Sequence, residues 1–263
     1  MSNQTEQTRK EYDEQAEEWK KIMNEEPIQH LVDQHSVLSR IEGIATKRVL
    51  DLATGEGRFA RLYARAGCED VVGLDLSEGQ IAQATTAGSA NIRYAQHDCT
   101  LPVPAEFGKF DVVTAHYLLC YAKEKSMLDA FFGTIINALR PGGLFLALND
   151  NEEHIASDLA VHKDLGFAKT CDSVANLWTG MTTGQYPEGT TVTWNFFEPA
   201  TFSSQVWIWH RATYLSKLKA AGFVDIEYLP ISKPDTLTPE QSKLVDSFVT
   251  CPPIALIRAR KPM

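Results

Sequence analysis

Val49-Leu50-Asp51-Leu52-Ala53-Thr54-Gly55-Glu56-Gly57 is the stretch from which the fold can be read. Val49 to Leu52 is a short apolar run carrying one carboxylate, the pattern of a strand buried on both faces. The small residues that follow let the backbone turn tightly, and Phe59, Ala60, Leu62, Tyr63 and Ala66 then recur at helical spacing as far as Gly67. Strand, glycine turn and helix in that order leave the first N–H groups of the helix free to meet a ligand.

The same alternation runs on from there. Val71-Val72-Gly73-Leu74-Asp75 reads as a second strand, and Ser77 caps a helix carrying Ile81 and Ala84. Ile92 to Gln96 gives a third strand and Phe110 to Ala115 a fourth. Met127 to Leu139 gives a helix, and Leu144 to Leu148 a fifth strand after the turn Arg140-Pro141-Gly142-Gly143. Strands separated by helices imply parallel βαβ units, covered by helices on both faces.

The rhythm fails between Asn149 and Arg211. Two aromatic, β-prone stretches, Thr191 to Phe197 and Phe202 to Trp209, stand there and read as a hairpin. The core resumes with a helix over Tyr214, Leu215, Leu218 and Ala221, a strand from Phe223 to Leu229, a short helix opened by Thr238-Pro239-Glu240-Gln241, and a last strand from Ile254 to Ala259. Upstream, Tyr12, Ala16, Trp19, Ile22 and Met23 form a helical stripe that Pro27 breaks, and a second pattern runs through Leu31, Val32, Val37, Leu38 and Ile41 to Gly43. The expected organisation is a helical segment over 1–45, a core over 46–150, an inserted cap over 151–210 and completion of the core over 211–263.

Composition excludes several classes of function. Lys and Arg total 25 against 34 Asp and Glu, a net charge of -9, so phosphate backbones are repelled and a nucleic-acid partner is not expected. No run of eighteen apolar residues occurs and the first twenty residues are polar, so neither a membrane span nor a secretory signal is expected, and the expected location is the cytoplasm. The five cysteines, Cys68, Cys99, Cys120, Cys171 and Cys251, show no metal-ligand spacing, and no metal is expected.

The chemistry concentrates at strand ends. Asp75 closes the second strand about twenty residues after the glycine turn, where a carboxylate can accept both hydroxyls of a ribose. With Asp51, Gly55 and Gly57 it would face a ligand at the carboxyl ends of the strands. A nicotinamide-dependent dehydrogenase shares the glycine turn and the acid, with Ala60 near the place of its third glycine.

Taken in order, Val49 to Gly57, Asp75, Asp98 with Cys99, Phe110 to His116, and Leu139-Arg140-Pro141-Gly142-Gly143 resemble the class I S-adenosylmethionine-dependent methyltransferases. The resemblance covers about residues 45 to 150, with an echo from 211 to 260, and Ala53 stands where that family most often has glycine. It favours a methyltransferase over a dehydrogenase, because the position of Asp98 and the Arg-Pro-Gly-Gly turn belong to the former. It implies a Rossmann-like, doubly wound α/β sheet of seven strands with the last one antiparallel, an N-terminal helical lid and an inserted cap. It also implies S-adenosyl-L-methionine as cofactor, held by Tyr12 on the lid, Asp51, Ala53, Gly55, Gly57, Asp75, Leu76, Asp98, Cys99 and His116.

The acceptor would be a small organic molecule, an N or O (less readily C) atom of a secondary metabolite, bound by Tyr117, Trp178, Trp194, Trp207 and Trp209. In a strand Trp207 and Trp209 share one face and Val206 and Ile208 the other, so either set can line a pocket while its opposite packs on the core. His116 is the first candidate for a general base and His210 the second, each with a structural role as its alternative. Asp111 is read as structural. A monomer or homodimer is expected. Two other readings stay open: use of the cofactor in a non-methyl reaction, and a non-catalytic accessory subunit.

Overall fold

The computed structural model describes residues 3–25, 28–88, 91–153, 162–171, 186–197 and 200–263. Two helices, α1 (Asn3–Glu14) and α2 (Ala16–Glu25), replace the continuous N-terminal helix that the spacing suggested. A π-helical turn, Gln29–Asp33, then runs into α3 (Gln34–Leu38). The core follows as β1 (Arg48–Leu52), α4 (Arg58–Arg65), β2 (Asp70–Asp75), α5 (Glu78–Thr86), β3 (Ile92–Gln96), β4 (Phe110–Thr114), α6 (Lys125–Ala138) and β5 (Leu139–Asp150). A cap follows with β6 (Phe167–Thr170), β7 (Thr190–Phe196) and β8 (Phe202–Ile208). The chain closes with α7 (Arg211–Ala220), β9 (Val224–Leu229), α8 (Pro239–Thr250) and β10 (Ile254–Arg260).

The main sheet has seven strands in the order β3-β2-β1-β4-β5-β10-β9, parallel from β3 through β5, with β10 antiparallel to both neighbours. This is the doubly wound α/β architecture. Alternate residues of each strand serve the two faces: Val49, Val71, Val112 and Leu146 pack into one apolar layer with α4, while Leu50, Val72, Val113 and Phe145 pack into the other with α6 and α7.

Local chemistry sets several boundaries as read. The Ser77 side chain accepts from the Gln80 N–H at the start of α5, and Thr238 with Gln241 forms a full capping box on α8, with Pro239 in its first turn. The Arg140-Pro141-Gly142-Gly143 turn is instead absorbed into β5, whose register on β4 shifts between Phe110–Leu139 and Val112–Leu144. The expected hairpin is present as β7 and β8, and β6 extends it to a three-stranded antiparallel sheet.

Candidate active site

One cavity lies across the carboxyl ends of β1, β2, β4 and β5, with α1 and the cap sheet over it. Asp51 and Ala53 enter from the end of β1, Asp75 and Leu76 from β2, Asp98 and Cys99 from the turn after β3, His116 and Tyr117 from the turn after β4, and Asp150 from β5.

The glycine turn is tied to the second strand. Gly55 N–H donates to Asp75 Oδ2 at 2.8 Å, and Ser77 N–H donates to Asp75 Oδ1 at 2.9 Å. Each oxygen therefore keeps a lone pair for a ligand. Burial raises the Asp75 carboxyl above the usual carboxylate range. Asp51 holds the turn from the other side, accepting from Thr54 Oγ1 at 2.7 Å and Thr114 Oγ1 at 2.8 Å; its burial pushes the carboxyl up to about 6. Asp98 accepts from the N–H and hydroxyl of Thr100, at 2.9 and 2.7 Å, which fixes the turn after β3.

Ala53 adopts φ +56°, a left-handed conformation that carries a penalty of about 1–2 kcal/mol for a residue with a Cβ. That explains why glycine is the commoner choice there. Gly57 requires correction. It does not line the cavity; at φ +83° it lies against Tyr94, so a Cβ there would overlap the phenol hydroxyl and come within 2.8 Å of its Cζ. The second glycine of the turn makes room for a neighbouring ring rather than for a ligand.

His116 lines the cavity, but its nitrogens are committed. Leu148 N–H donates to Nδ1 at 3.2 Å, which leaves the proton on Nε2, and Nε2 meets Tyr63 Oη at 2.8 Å. Burial, with Arg58 nearby, lowers its pKa to about 3. A ring without a free lone pair cannot accept a substrate proton, so the expectation of a base at His116 is corrected. His210 lies outside the cavity: its Nε2 meets the Tyr186 carbonyl at 2.6 Å, and its backbone N–H donates to Glu188. Asp111 also lies away from the cavity, bonding to Arg48 N–H and Arg140 at 2.8 Å each, in keeping with its structural reading.

The lid contact is specific. Asp13 of α1 accepts from Ser77 Oγ at 2.5 Å and Gly79 N–H at 3.1 Å, docking α1 on the start of α5. That brings Tyr12 into the cavity, where its hydroxyl bonds to Tyr121 Oη, which in turn meets Ser204 Oγ of β8 at 2.7 Å. Helix, core turn and cap are thus joined by three hydroxyls. Tyr117, at φ +58°, donates to the buried Asp33 at 2.6 Å.

In the cap, Val192, Trp194 and Phe196 pair across with Val206, Ser204 and Phe202, and of these six Trp194, Phe196, Ser204 and Val206 line the cavity. Trp207 and Trp209 therefore face away, and their placement at the substrate wall is corrected. Trp209 is buried in the core and donates to the Ala122 carbonyl at 2.7 Å, and Trp207 carries Lys123 over its ring. Trp178 lies outside the described residues.

Two further cavity groups, Gln80 and Asp150, carry no local sequence signal. Gln80, on the first turn of α5, is buried with neither side-chain amide atom bonded among the described residues. Asp150, the last residue of β5, is buried beside Lys169. The seven-residue run from Phe145 to Asn151 reads only as an apolar strand ending in polar residues. Among the described residues no group of three or more His, Cys, Asp or Glu side chains is placed to hold a metal, and no helix is long and apolar enough to cross a membrane.

Residues 49–143 match a family model described as a methyltransferase domain. A ubiquinone biosynthesis O-methyltransferase of Acinetobacter baumannii (strain AYE) is 30% identical over 118 residues, 43% of this chain and 48% of that protein. One of Sinorhizobium medicae (strain WSM419) is 32% identical over 123 residues, 46% of this chain and 47% of that protein. The chain thus spans about half the length of the curated relatives it matches. Among solved structures, an S-adenosylmethionine-dependent methyltransferase from Mesorhizobium loti superposes with a TM-score of 0.59 at 21% identity, covering 91% of this chain and all of that one. The DhpI–SAM–HEP complex gives 0.64 at 17%, covering 100% and 99%. At such identities the likeness is one of fold.

Proposed function

We propose that this chain, whose residues 49–143 match a family model described as a methyltransferase domain, is a class I S-adenosylmethionine-dependent methyltransferase that transfers a methyl group to an oxygen or nitrogen of a small organic molecule. The observation that carries the proposal is the convergence of Asp51, Gly55, Asp75 and Asp98 on one cavity at the ends of successive strands.

The cavity's groups fit the cofactor chemically. Besides its own carboxylate, S-adenosylmethionine presents ribose hydroxyls, an adenine amino group, an ammonium and a sulfonium, and the carboxylates of this wall suit those donors and cations. Asp75 would accept the ribose hydroxyls on the lone pairs left by Gly55 and Ser77. Asp98 would take the adenine amino group, with Leu76 and Cys99 beside the ring, and Asp51 would steady the turn that holds the methionine end. The unbonded amide of Gln80 offers one donor side and one acceptor side to the same ligand.

When bound, the cofactor supplies a methyl group already joined to an excellent leaving group. The chain's task is then alignment and exclusion of water. Docking of α1 through Asp13 and the Tyr12–Tyr121–Ser204 chain would close the cavity over the reacting centre, and His116, neutral and locked, would contribute shape rather than proton transfer. The relatives named as O-methyltransferases favour oxygen as the acceptor atom. The net charge of -9 fits a small substrate in the cytoplasm better than a nucleic acid.

The test is product mass. Incubation with S-adenosylmethionine and a panel of phenols and amines should yield products heavier by CH2, with one S-adenosylhomocysteine per product. Transformed products lacking the added methyl would overturn the proposal.

A further inference from the structure

Beyond the cofactor-holding carboxylates the cavity is lined by two more: Glu56, which is paired with Arg61, and Asp150, which nothing in the cofactor reading uses. Asp150 ends β5, separated from β2 by β1 and β4, so it stands on the far side of the cavity from Asp75. It is 4% exposed. Its Oδ1 accepts from the Lys169 ammonium and from Trp194 Nε1 at 3.2 Å, while Oδ2 is buried and bonds to no donor among the described residues, with the Cys120 thiol close to the carboxylate. Lys169 is itself buried and also donates to the Pro253 carbonyl at 3.0 Å.

A buried carboxylate oxygen without a donor is costly, and one that lines a cavity can be satisfied by a ligand entering it. The surroundings narrow that ligand. Phe167, Trp194, Phe196, Val206 and Phe248 form the neighbouring wall, which suits a flat apolar body. Lys169 already balances the charge of Asp150, so an incoming cation finds no net charge to offset its desolvation. The same ammonium lies 4.3 Å from the Trp194 ring centroid and occupies the face on which a cationic substrate would stack. An anion would meet the lone pairs of Oδ2.

Building on the methyltransferase reading, we propose that Asp150 binds the methyl acceptor, taking a hydrogen bond on Oδ2 from the O–H or N–H of a flat, uncharged substrate. Lys169 and Trp194 are positioning residues that hold the carboxylate in place through its other oxygen.

The experiment measures binding of 2-naphthol, naphthalene and 2-naphthoate to the full chain by Trp fluorescence and calorimetry, with and without S-adenosylhomocysteine. Wild type should bind 2-naphthol at least about tenfold more tightly than naphthalene, as one hydrogen bond to a carboxylate gives, and 2-naphthoate more weakly than 2-naphthol. Removing Asp150 alone would strand a buried ammonium, so the variant is Asp150→Leu with Lys169→Met. There 2-naphthol should fall to the level of naphthalene while S-adenosylhomocysteine affinity stays unchanged.

Equal binding of 2-naphthol and naphthalene to wild type, preference for 2-naphthoate, no binding of any probe, or a hydroxyl preference that survives in the double variant would each overturn the proposal. Should the double variant fail to fold, the wild-type ranking alone decides. Failure of S-adenosylhomocysteine to bind wild type would count against the cofactor reading, while the probe ranking without it still tests Asp150.

Discussion

Gly57→Ala separates a packing role from a ligand-binding one. At φ +83° an alanine carries the left-handed penalty of about 1–2 kcal/mol. Its Cβ would overlap Tyr94 Oη, with Tyr94 Cζ at 2.8 Å and Ala84 Cβ at 3.0 Å, and overpacking of that degree costs about 1–3 kcal/mol. The stiffer unfolded chain returns about 0.4–1 kcal/mol. A net loss of about 1–5 kcal/mol is expected. Urea unfolding followed by far-UV circular dichroism should show it as a lower midpoint at constant slope.

A double-mutant cycle with Tyr94→Phe, which removes the nearest atom, should recover about 1 kcal/mol. Ala53→Gly is the internal control, since at φ +56° the exchange relieves strain and should stabilise by about 0.5 kcal/mol. An unchanged midpoint for Gly57→Ala, with cofactor affinity lost instead, would refute the packing role and return Gly57 to the cavity wall.

Two further tests concern protonation. Asp51 has a folded pKa raised by burial to about 6, against about 3.9 for an unfolded aspartate, so the folded state holds its proton more tightly. Its contribution is favourable at low pH and is lost as pH rises from about 4 to 6. Asp51→Asn should therefore gain stability at pH 7, by up to about 3 kcal/mol, and little at pH 4; equal gains at both would contradict that origin. For His116, lowered by burial to about 3, the sign is opposite: the unfolded state takes up the proton near pH 6.5, and stability falls as the pH drops from there. The His116 ring resonances should stay at their neutral positions down to about pH 4, and titration near pH 6.5 would restore it as a candidate base.

How legible the molecule is in its sequence depends on how local each cause is. The parallel strands and helices of residues 48–150 follow from hydrophobic period and from caps such as Ser77, all of which act within a few residues. The ligand-facing carboxylates Asp51, Asp75 and Asp98 share that legibility because they occupy strand ends. The hairpin's two faces can be read from parity, but which face turns inward is a matter of tertiary packing, in which Trp207 and Trp209 join the apolar layer of Leu128 and Tyr214 and leave the cavity to the other face. The commitment of His116 depends on Tyr63 and the Leu148 amide, 53 and 32 residues away, and no local pattern announces it. Asp150 and Lys169 are 19 residues apart across a stretch with no periodicity, and β6, which presents Lys169, has four residues only. Cross-strand pairing of Lys169 with Trp194 supplies that information only once the cap sheet exists.

The cofactor site itself is tested most directly by calorimetric titration of wild type and Asp75→Asn with S-adenosylmethionine, S-adenosylhomocysteine and NADH. In the variant one oxygen becomes an NH2 that must face the N–H of Gly55 or Ser77, and the bonds offered to a ribose are lost. Wild type should bind the first two ligands at about 1 μM, near -8 kcal/mol, and NADH not at all. Asp75→Asn should weaken the first two about a hundredfold, the loss of one to two hydrogen bonds to a charged group. Unchanged affinity in the variant, or binding of NADH in place of S-adenosylmethionine, would contradict the assignment of this cavity to the cofactor.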